Sequence, residues 1–576
     1  MKIQLRLGRF FLGAAVLTAA CVFLVTAQPA DSPEPPLLTA MQEELSRSMD
    51  TLSTADPPAY FISYTVTDAD ETDVSGSNGA LIESSDDRNR YLEVQTRVGS
   101  YQLDDTHNVT GQNQDFGSNA APIVLDDDVP VLRREMWRMT DRQYRDAAEA
   151  LIRVKTSQQV QVQTAEGSAP DFSHEKPHVY IGPFLSIHVD RKPWEARVRK
   201  YTAEFSASPI VLNSLATFTA LATNQYQVNS EGTKLEFGLI HYRLELYVQS
   251  KAPDGMDIDR YANFDWLDPK DAPSEKTVDD TIHQLIGEAA ALDKSPIANP
   301  YAGPALLTGR AAAVYFHEVF GHRAEGFRQK EIEEGQTFTS KIGEKIMPDF
   351  ISIKDDPTEA TFNGEMLLGN YPYDDEGVPA EDVQLVDHGI LKTFLMSRSP
   401  LVGIPDSNGH GRRQLGYVPV ARQGNLIVSS TNGVPFAQLR QKLIDLVKQQ
   451  GLQYGLLIDD IEGGFTMTGR SQPQAFQVTP LVVYRVYADG RPDELVRGVN
   501  IVGTPLVSLS KIVATSDKAE IFNGYCGAES GSVPVSAVSP AILISEMEFD
   551  KKETSTDKPP ILPPPAHDPD AKGQAQ

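Results

Sequence analysis

The stretch GRAAAVYFHEVFGHRAEGF, residues 309–327, places two histidines, His317 and His322, five positions apart, with Glu318 directly after the first. From Ala311 to Phe320 every other residue is small or apolar, and a helix that is hydrophobic on all sides is a buried one. Histidine and glutamate inside such a helix are costly unless paired, protonated or ligated. The pattern predicts a chemically used site on a helix buried in a core.

The spacing adds a constraint. The zinc-protease motif HExxH separates its histidines by four, which puts both imidazoles on one helical face. At about 100° per residue, positions four apart differ by roughly 40° and positions five apart by roughly 140°. Two rings that far round the helix share a metal only if the turn widens or the helix unwinds before the second histidine. Gly321 tolerates either distortion. The helix is therefore expected to bulge or end within 319–321, returning His322 toward His317.

A catalytic zinc site takes three protein ligands and leaves one position for water. Two residues can supply the third. Glu325 follows His322 by three; Cys526 lies in FNGYCGAESGSVPV, residues 522–535, where Gly524 and Gly527 suit a tight loop with close backbone approach. The chain has only two cysteines, and the other, Cys21, sits in an N-terminal apolar run. A single cysteine in a mature exported chain closes no internal disulfide; a buried inert thiol is one reading, and ligation is the other, which gives the thiol a reason to be there. Cys526 is preferred, leaving Glu325 to orient His322 or hold the loop. In SNGHGRRQ, residues 407–414, His410, Arg412 and Arg413 are candidates for holding substrate carbonyls or a carboxylate; an ordinary solvated turn is the alternative reading.

A formal HExxH does occur, His174-Glu175-Lys176-Pro177-His178. Pro177 removes a backbone donor and pushes Lys176 out of the helical region. Without a helix the spacing of four loses its meaning, and the segment reads as a polar loop leading into a strand, VYIGPFLSIHV, 179–189.

The N-terminus has Lys2, Arg6 and Arg9 before an apolar run from Phe10 to Val25, then small residues, the order of a secretory signal peptide. Val25 and Ala27 fit a cleavage site, giving a leader over 1–27; retention as an anchor and lipidation at Cys21 are the competing readings. Loss of the leader takes the net charge from −27 to about −30. That charge disfavours nucleic acid and anionic membrane surfaces as partners. The chain is expected to be exported, to a bacterial periplasm, without stable membrane association once cleaved.

With 40% hydrophobic and 8% aromatic residues over 576 positions, the chain is expected to fold into two or more domains. A flexible lead-in over 28–36 precedes helix-period stretches at 37–52, 134–156 and 279–294 and strand-like stretches at 60–67, 90–104 and 217–249. These predict an N-terminal α+β domain with an antiparallel sheet, 37–295. The C-terminal domain, 296–550, is expected to be mainly β, built of short strands and turns around the buried metal-binding helix. It includes a hairpin turn at 387–390, a meander at 481–502 and an amphipathic helix at 435–451. The tail, 551–576, is expected to be disordered.

The motifs GRAAAVYFHEVFGHRAEG, NGHGRRQLGYVPVAR, IEGGFTMTG and CGAESGSVPV, with the stretch 355–399 among them, follow the order of a known family. Over roughly residues 290–550 the chain resembles the TldD/PmbA metalloproteases; the N-terminal half is similar in broad plan only. The resemblance implies zinc held by His317, His322 and Cys526, with Glu318 as general base. It also implies unfolded or flexible peptides as substrates and a homodimer or a heterodimer with a related subunit. In the family's heterodimers one subunit lacks the metal motif, which is complete here. Two features depart from the family pattern: the leader, and the basic residues after Glu325 in HRAEGFRQK, 322–330. A non-catalytic scaffold subunit and a zinc hydrolase of a non-peptide amide are the alternative functions.

Overall fold

The computed structural model describes residues 34–109, 116–158, 169–330, 337–469, 475–552, 558–562 and 564–565. The leader, most of the lead-in and most of the tail lie outside the described residues. Among the described residues, no helix is long and apolar enough to cross a membrane.

The N-terminal half is built on a seven-stranded sheet. Long strands Ala59–Ser77, Ala80–Val98, Asn213–Asn229 and Lys234–Lys251 pair antiparallel, with Asp257–Trp266 beside the last. Ile62, Tyr64, Val66 and Val74 share the parity of one sheet face, and this face is covered by helices. Pro36–Leu52 and Val129–Gln158 cover one end through Leu38, Met41, Leu132 and Met136. Arg191–Ser206 and Glu275–Lys294 cover the other through Val198, Phe205, Ile282 and Leu285. The opposite face, which carries Phe61, turns toward the C-terminal half: the guanidinium of Arg398 lies 4.9 Å from the Phe61 ring centre.

Two details differ from expectation. Only Val179–Ile181 of the stretch 179–189 is a strand, because Gly182-Pro183 ends it and the Asn224 side chain takes over the pairing, bonding to both Leu185 N and Leu185 O. The helix Arg191–Ser206 lies outside the expected elements, although its signal was present. Asp190 caps it, and Val198, Tyr201, Thr202 and Phe205 are buried at helical spacing.

The C-terminal half contains a twelve-stranded mixed sheet. Tyr301–Leu307 pairs with Tyr454–Thr466 on one side and Gly531–Lys551 on the other. From Tyr454–Thr466 the pairings run through Phe476–Tyr487 and Val499–Gly503 back to Gly531–Lys551. These strands close into a ring. The helix Gly309–Val319 leaves the end of Tyr301–Leu307 and joins one apolar cluster with Phe476, Val478, Ile501 and Ile542. The strands are longer than expected in places: Ile512–Ala528 and Gly531–Lys551 form one extended hairpin. At 387–390 the expected turn is present, with His388 and Gly389 both at positive φ between paired Asp387 and Ile390.

Candidate metal centre

Thr308 caps the histidine helix, its side chain accepting from Ala311 N, and from Ala311 to Val319 every residue is buried. The helix ends at Val319. Phe320 follows with φ −113° and ψ −52°, and Gly321–Ala324 forms a tight 3₁₀ turn. The chain thus unwinds just before the second histidine, the second of the two geometries the spacing allows. The rings of His317 and His322 come to 4.9 Å between centres, nearly perpendicular.

Gly321 is required for a reason other than torsional freedom. It is not among the residues at positive φ; a Cβ here would lie 1.8 Å from Gln423 Oε1. Close packing from the far side leaves a larger residue no room unless the end of the Gln423 side chain moves.

Cys526 lies on the strand Ile512–Ala528, opposite Val533. It is not on a tight loop: the hairpin turns only at 529–530, beyond Gly527 and Ala528, and the flanking glycines belong to the strand. The sulfur sits 3.2 Å from His317 Nε2 and 3.3 Å from His322 Nε2. Among the described residues, His317, His322 and Cys526 form the one group of three with donor atoms mutually within 4.8 Å. Burial alone would raise the Cys526 thiol, but the imidazoles of His322 and His317 hold it well below the ordinary thiol range. Conversely, burial opposes protonation of the histidines, and the neighbouring sulfur raises both, His322 strongly. Three buried, mutually compensating donors of nitrogen and sulfur fit a zinc-type ion, whose ligands are the thiolate and neutral imidazoles.

Glu325 stands behind this cluster. Its carboxylate accepts from His322 Nδ1 at 3.2 Å and from Arg328 Nε at 2.9 Å, and it lies 3.5 Å from Arg422 Nε. Against a burial cost, His322 and Arg328 hold its carboxyl down to about 2. An ionised Glu325 fixes Nδ1 as the protonated nitrogen, leaving Nε2 directed at the cluster. Arg422 also donates to Cys526 O at 2.6 Å and to Ser530 Oγ at 2.9 Å. One buried guanidinium thereby ties the cysteine hairpin to the histidine turn.

Glu318 Oε2 is 4.0 Å from His322 Nε2. Gly464, on Tyr454–Thr466, packs directly on its side chain, since a Cβ there would lie 2.3 Å from Glu318 Cγ. His317, Glu318, His322 and Cys526 share a cleft of about 340 Å³ whose walls include Gly463, Gly464, Thr466, Phe522 and Tyr525.

His410, Arg412 and Arg413 are brought elsewhere. His410 is fully buried, facing Asp355 at 3.3 Å. Arg412 is buried over the Tyr371 ring and donates to Gln423 O. Arg413 is buried against Glu93. None of the three lines the cleft. They stand away from the metal cluster, and His410 and Arg412 are buried rather than part of a solvated turn. Charged residue types read as surface in sequence, and the partners that receive these three lie far away along the chain. The formal HExxH is extended rather than helical, with His174 exposed.

Sequence reasoning missed Arg422, Gln423 and Gly464. It noted the basic residues after Glu325 only as a departure, yet Arg328 among them is structural, as is Arg323 before them. Arg323 donates to Glu318 O at 3.1 Å and Met467 O at 3.0 Å. Arg328 binds Glu529 through both terminal nitrogens, at 2.9 and 2.6 Å.

Residues 301–551 match the family described as the PmbA/TldA metallopeptidase C-terminal domain. Residues 301–551 thus form a domain of that metallopeptidase family. A metalloprotease of Methanothermobacter thermautotrophicus is 25% identical over 81% of this chain and 96% of its own length. Several relatives are matched over about half their length. One is a TldD homolog of Haemophilus influenzae, named as a metalloprotease, 29% identical over 45% of this chain and 50% of that one. The solved structure of TldE from Thermococcus kodakarensis superposes with a TM-score of 0.57 at 13% identity, covering 89% of this chain and 100% of that one. That likeness shows that the fold of TldE extends across both halves of this chain.

Proposed function

We propose that this chain is a zinc-dependent peptidase acting on unfolded or flexible peptides. The reading is carried by one observation: two imidazole nitrogens and a thiolate converge beside an acidic side chain in an open cleft. His317, His322 and Cys526 would hold the ion. When bound, zinc supplies Lewis acidity, making water a nucleophile near neutral pH and polarising the scissile carbonyl. Glu318 takes a proton from the attacking water at its carboxylate and returns it to the departing amine. Glu325, keeping the proton on His322 Nδ1, preserves the ligating form of that ring. Arg323 and Gly464 hold Glu318 from its backbone and side-chain sides.

An extended peptide suits the cleft walls. Tyr454–Thr466 is paired with Tyr301–Leu307 only over 456–458, and Ile512–Ala528 meets Gly433–Val434 only at 515–516. Beyond those points neither strand has a further strand partner among the described residues, and past the carbonyl that Tyr261 takes at Glu462 a substrate backbone would add as a strand without demanding a particular sequence. The expected assembly is a homodimer or a heterodimer with a related subunit, and the expected location a bacterial periplasm, from the leader over 1–27. Presence of His317, Glu318, His322 and Cys526 together weighs against a non-catalytic scaffold.

Cleavage of denatured casein, with and without a chelator, tests the reading. Glu318→Gln should keep stoichiometric metal and lose about 10²–10⁴-fold in rate. Cutting at the original rate by that variant, or insensitivity to the chelator, would overturn it.

A further inference from the structure

Across the cleft from the histidine helix, the strand Tyr454–Thr466 is irregular. Its pairing with Phe476–Tyr487 shifts at Ile458/Asp460, Asp460/Ile461 and Ile461/Gly463, and such bulges re-aim a strand. The irregular segment runs into Gly463 and Gly464. Gly464 lies against the Glu318 side chain, 2.3 Å from Cγ and 2.9 Å from Oε1 to where a Cβ would stand. The placement of this glycine therefore limits where the Glu318 carboxylate can be.

What fixes the segment comes largely from the other half of the chain. Tyr261, on Asp257–Trp266, donates its hydroxyl to Glu462 O at 3.0 Å and lies 3.4 Å from Ile461 O. Next to it, Arg260 Nη1 donates to Asp460 Oδ2 at 3.1 Å. Arg260 is itself held by Glu288 of the helix Glu275–Lys294 at 2.7 Å. Asp460 Oδ1 accepts from Arg310 Nε, in the first turn of the histidine helix, at 3.1 Å. Arg310 Nη2 reaches the Tyr261 oxygen at 3.4 Å, and its guanidinium lies 5.1 Å from the ring centre of Phe522, a cleft residue. Asp460 is thus bound by one arginine from each half, and Tyr261 pins the next two carbonyls.

We propose that Tyr261 is a positioning residue for the reaction: with the Arg260–Asp460–Arg310 bridge it holds the bulged segment 460–464, so that Gly464 sets the Glu318 carboxylate beside the cluster of His317, His322 and Cys526. The inference rests on the peptidase reading and deepens it. The N-terminal sheet touches no reacting atom through Tyr261, yet it governs turnover through the strand it pins. Misplacing a catalytic group by about 1 Å can cost on the order of 10²-fold, and loss of one of several restraints should cost less.

Tyr261→Phe removes one oxygen and keeps the ring. In the full-length, metal-loaded protein it should lower kcat about tenfold, with KM within about twofold and metal content unchanged. Amide exchange at residues 463–466 should accelerate, a readout independent of activity. In a Glu318→Gln background Tyr261→Phe should leave the residual rate unchanged, because its effect passes through Glu318; a general loss of structure would lower both backgrounds alike. An unchanged kcat, or equal losses in both backgrounds, overturns the proposal. Should Tyr261→Phe lose metal or fold, Arg260→Lys is read by the same kcat, KM and double-variant criteria. Failure of the peptidase reading is separate: it would appear as a Glu318→Gln rate equal to wild type, whatever Tyr261 does.

Discussion

The Nδ1 atom of His322 lies 3.2 Å from each carboxylate oxygen of Glu325, three residues further along the chain. Glu325 is fully buried and also receives Arg328, so it cannot turn away to become a ligand without stranding that guanidinium. It acts on the ring, not on the ion.

Metal affinity separates the two roles. Glu325→Gln should weaken metal binding about 10–100-fold, the usual cost of losing the group that orients a ligating histidine. Cys526→Ala should abolish stoichiometric metal. Competition against a chromophoric chelator measures both. Equal affinity for Glu325→Gln and wild type would remove Glu325 from its assigned role.

The same carboxylate gives the metal-free protein a pH signature. Its folded value of about 2 lies below its ordinary value of 4.5. A depressed carboxyl stabilises the fold fully above the unfolded value and loses that contribution as pH falls through the folded value. Stability should therefore decline between pH 4.5 and about 2, by an amount on the order of 3 kcal/mol from this group. Urea titrations of the chelated protein across that window should show the decline in wild type and a flatter profile in Glu325→Gln.

Two glycines near the site should respond differently to a methyl group. Gly321→Ala would collide with the Gln423 side-chain end, whose amide atoms have no hydrogen-bond partner among the described residues. A cost of about 1–3 kcal/mol is expected for such overpacking, and Gln423→Ala should largely relieve it. Gly464→Ala would collide with Glu318 itself. Here thermal stability should change little while kcat falls at least tenfold, as for displacement of a catalytic base. Thermal melts beside steady-state kinetics distinguish the two patterns.

Much of the site was legible because its signal is local. Polar residues in an apolar helix, the five-residue spacing and a lone cysteine all stand in short segments of sequence, and they pointed to the residues that meet. The reason for Gly321 was not legible. Its neighbour Gln423 is a hundred residues away, and only the fold brings the two together. Arg422 was hidden for a similar reason: a buried arginine that ties Glu325 to Cys526 O reads in sequence as one more charge. His410, Arg412 and Arg413 show the converse case, since a Gly-rich basic segment looks solvated while His410 faces Asp355, Arg412 lies over the Tyr371 ring and Arg413 packs on Glu93. In the N-terminal half, alternation gave the antiparallel sheet. The closed ring of the C-terminal half rests on pairings such as Leu306 with Leu543, whose register no short segment encodes.

Arg398 offers the sharpest test of how the halves are joined. It is almost fully buried, pairs with Glu231 at 2.7 Å and lies 3.9 Å from the ring centre of Phe172 and 4.9 Å from that of Phe61. All three partners belong to the N-terminal half. Removing one member of a buried ion pair leaves the other charge uncompensated, which costs about 3–5 kcal/mol. Arg398→Ala should therefore lower the thermal midpoint strongly and expose the junction to proteolysis. Replacing both charges, Arg398→Met with Glu231→Gln, should recover most of the loss, because no unpaired charge remains and the methionine still packs on both rings. If Arg398→Ala melted like wild type, the buried pair would contribute little to holding the halves together. The Arg260–Asp460 bridge would then carry more of the junction.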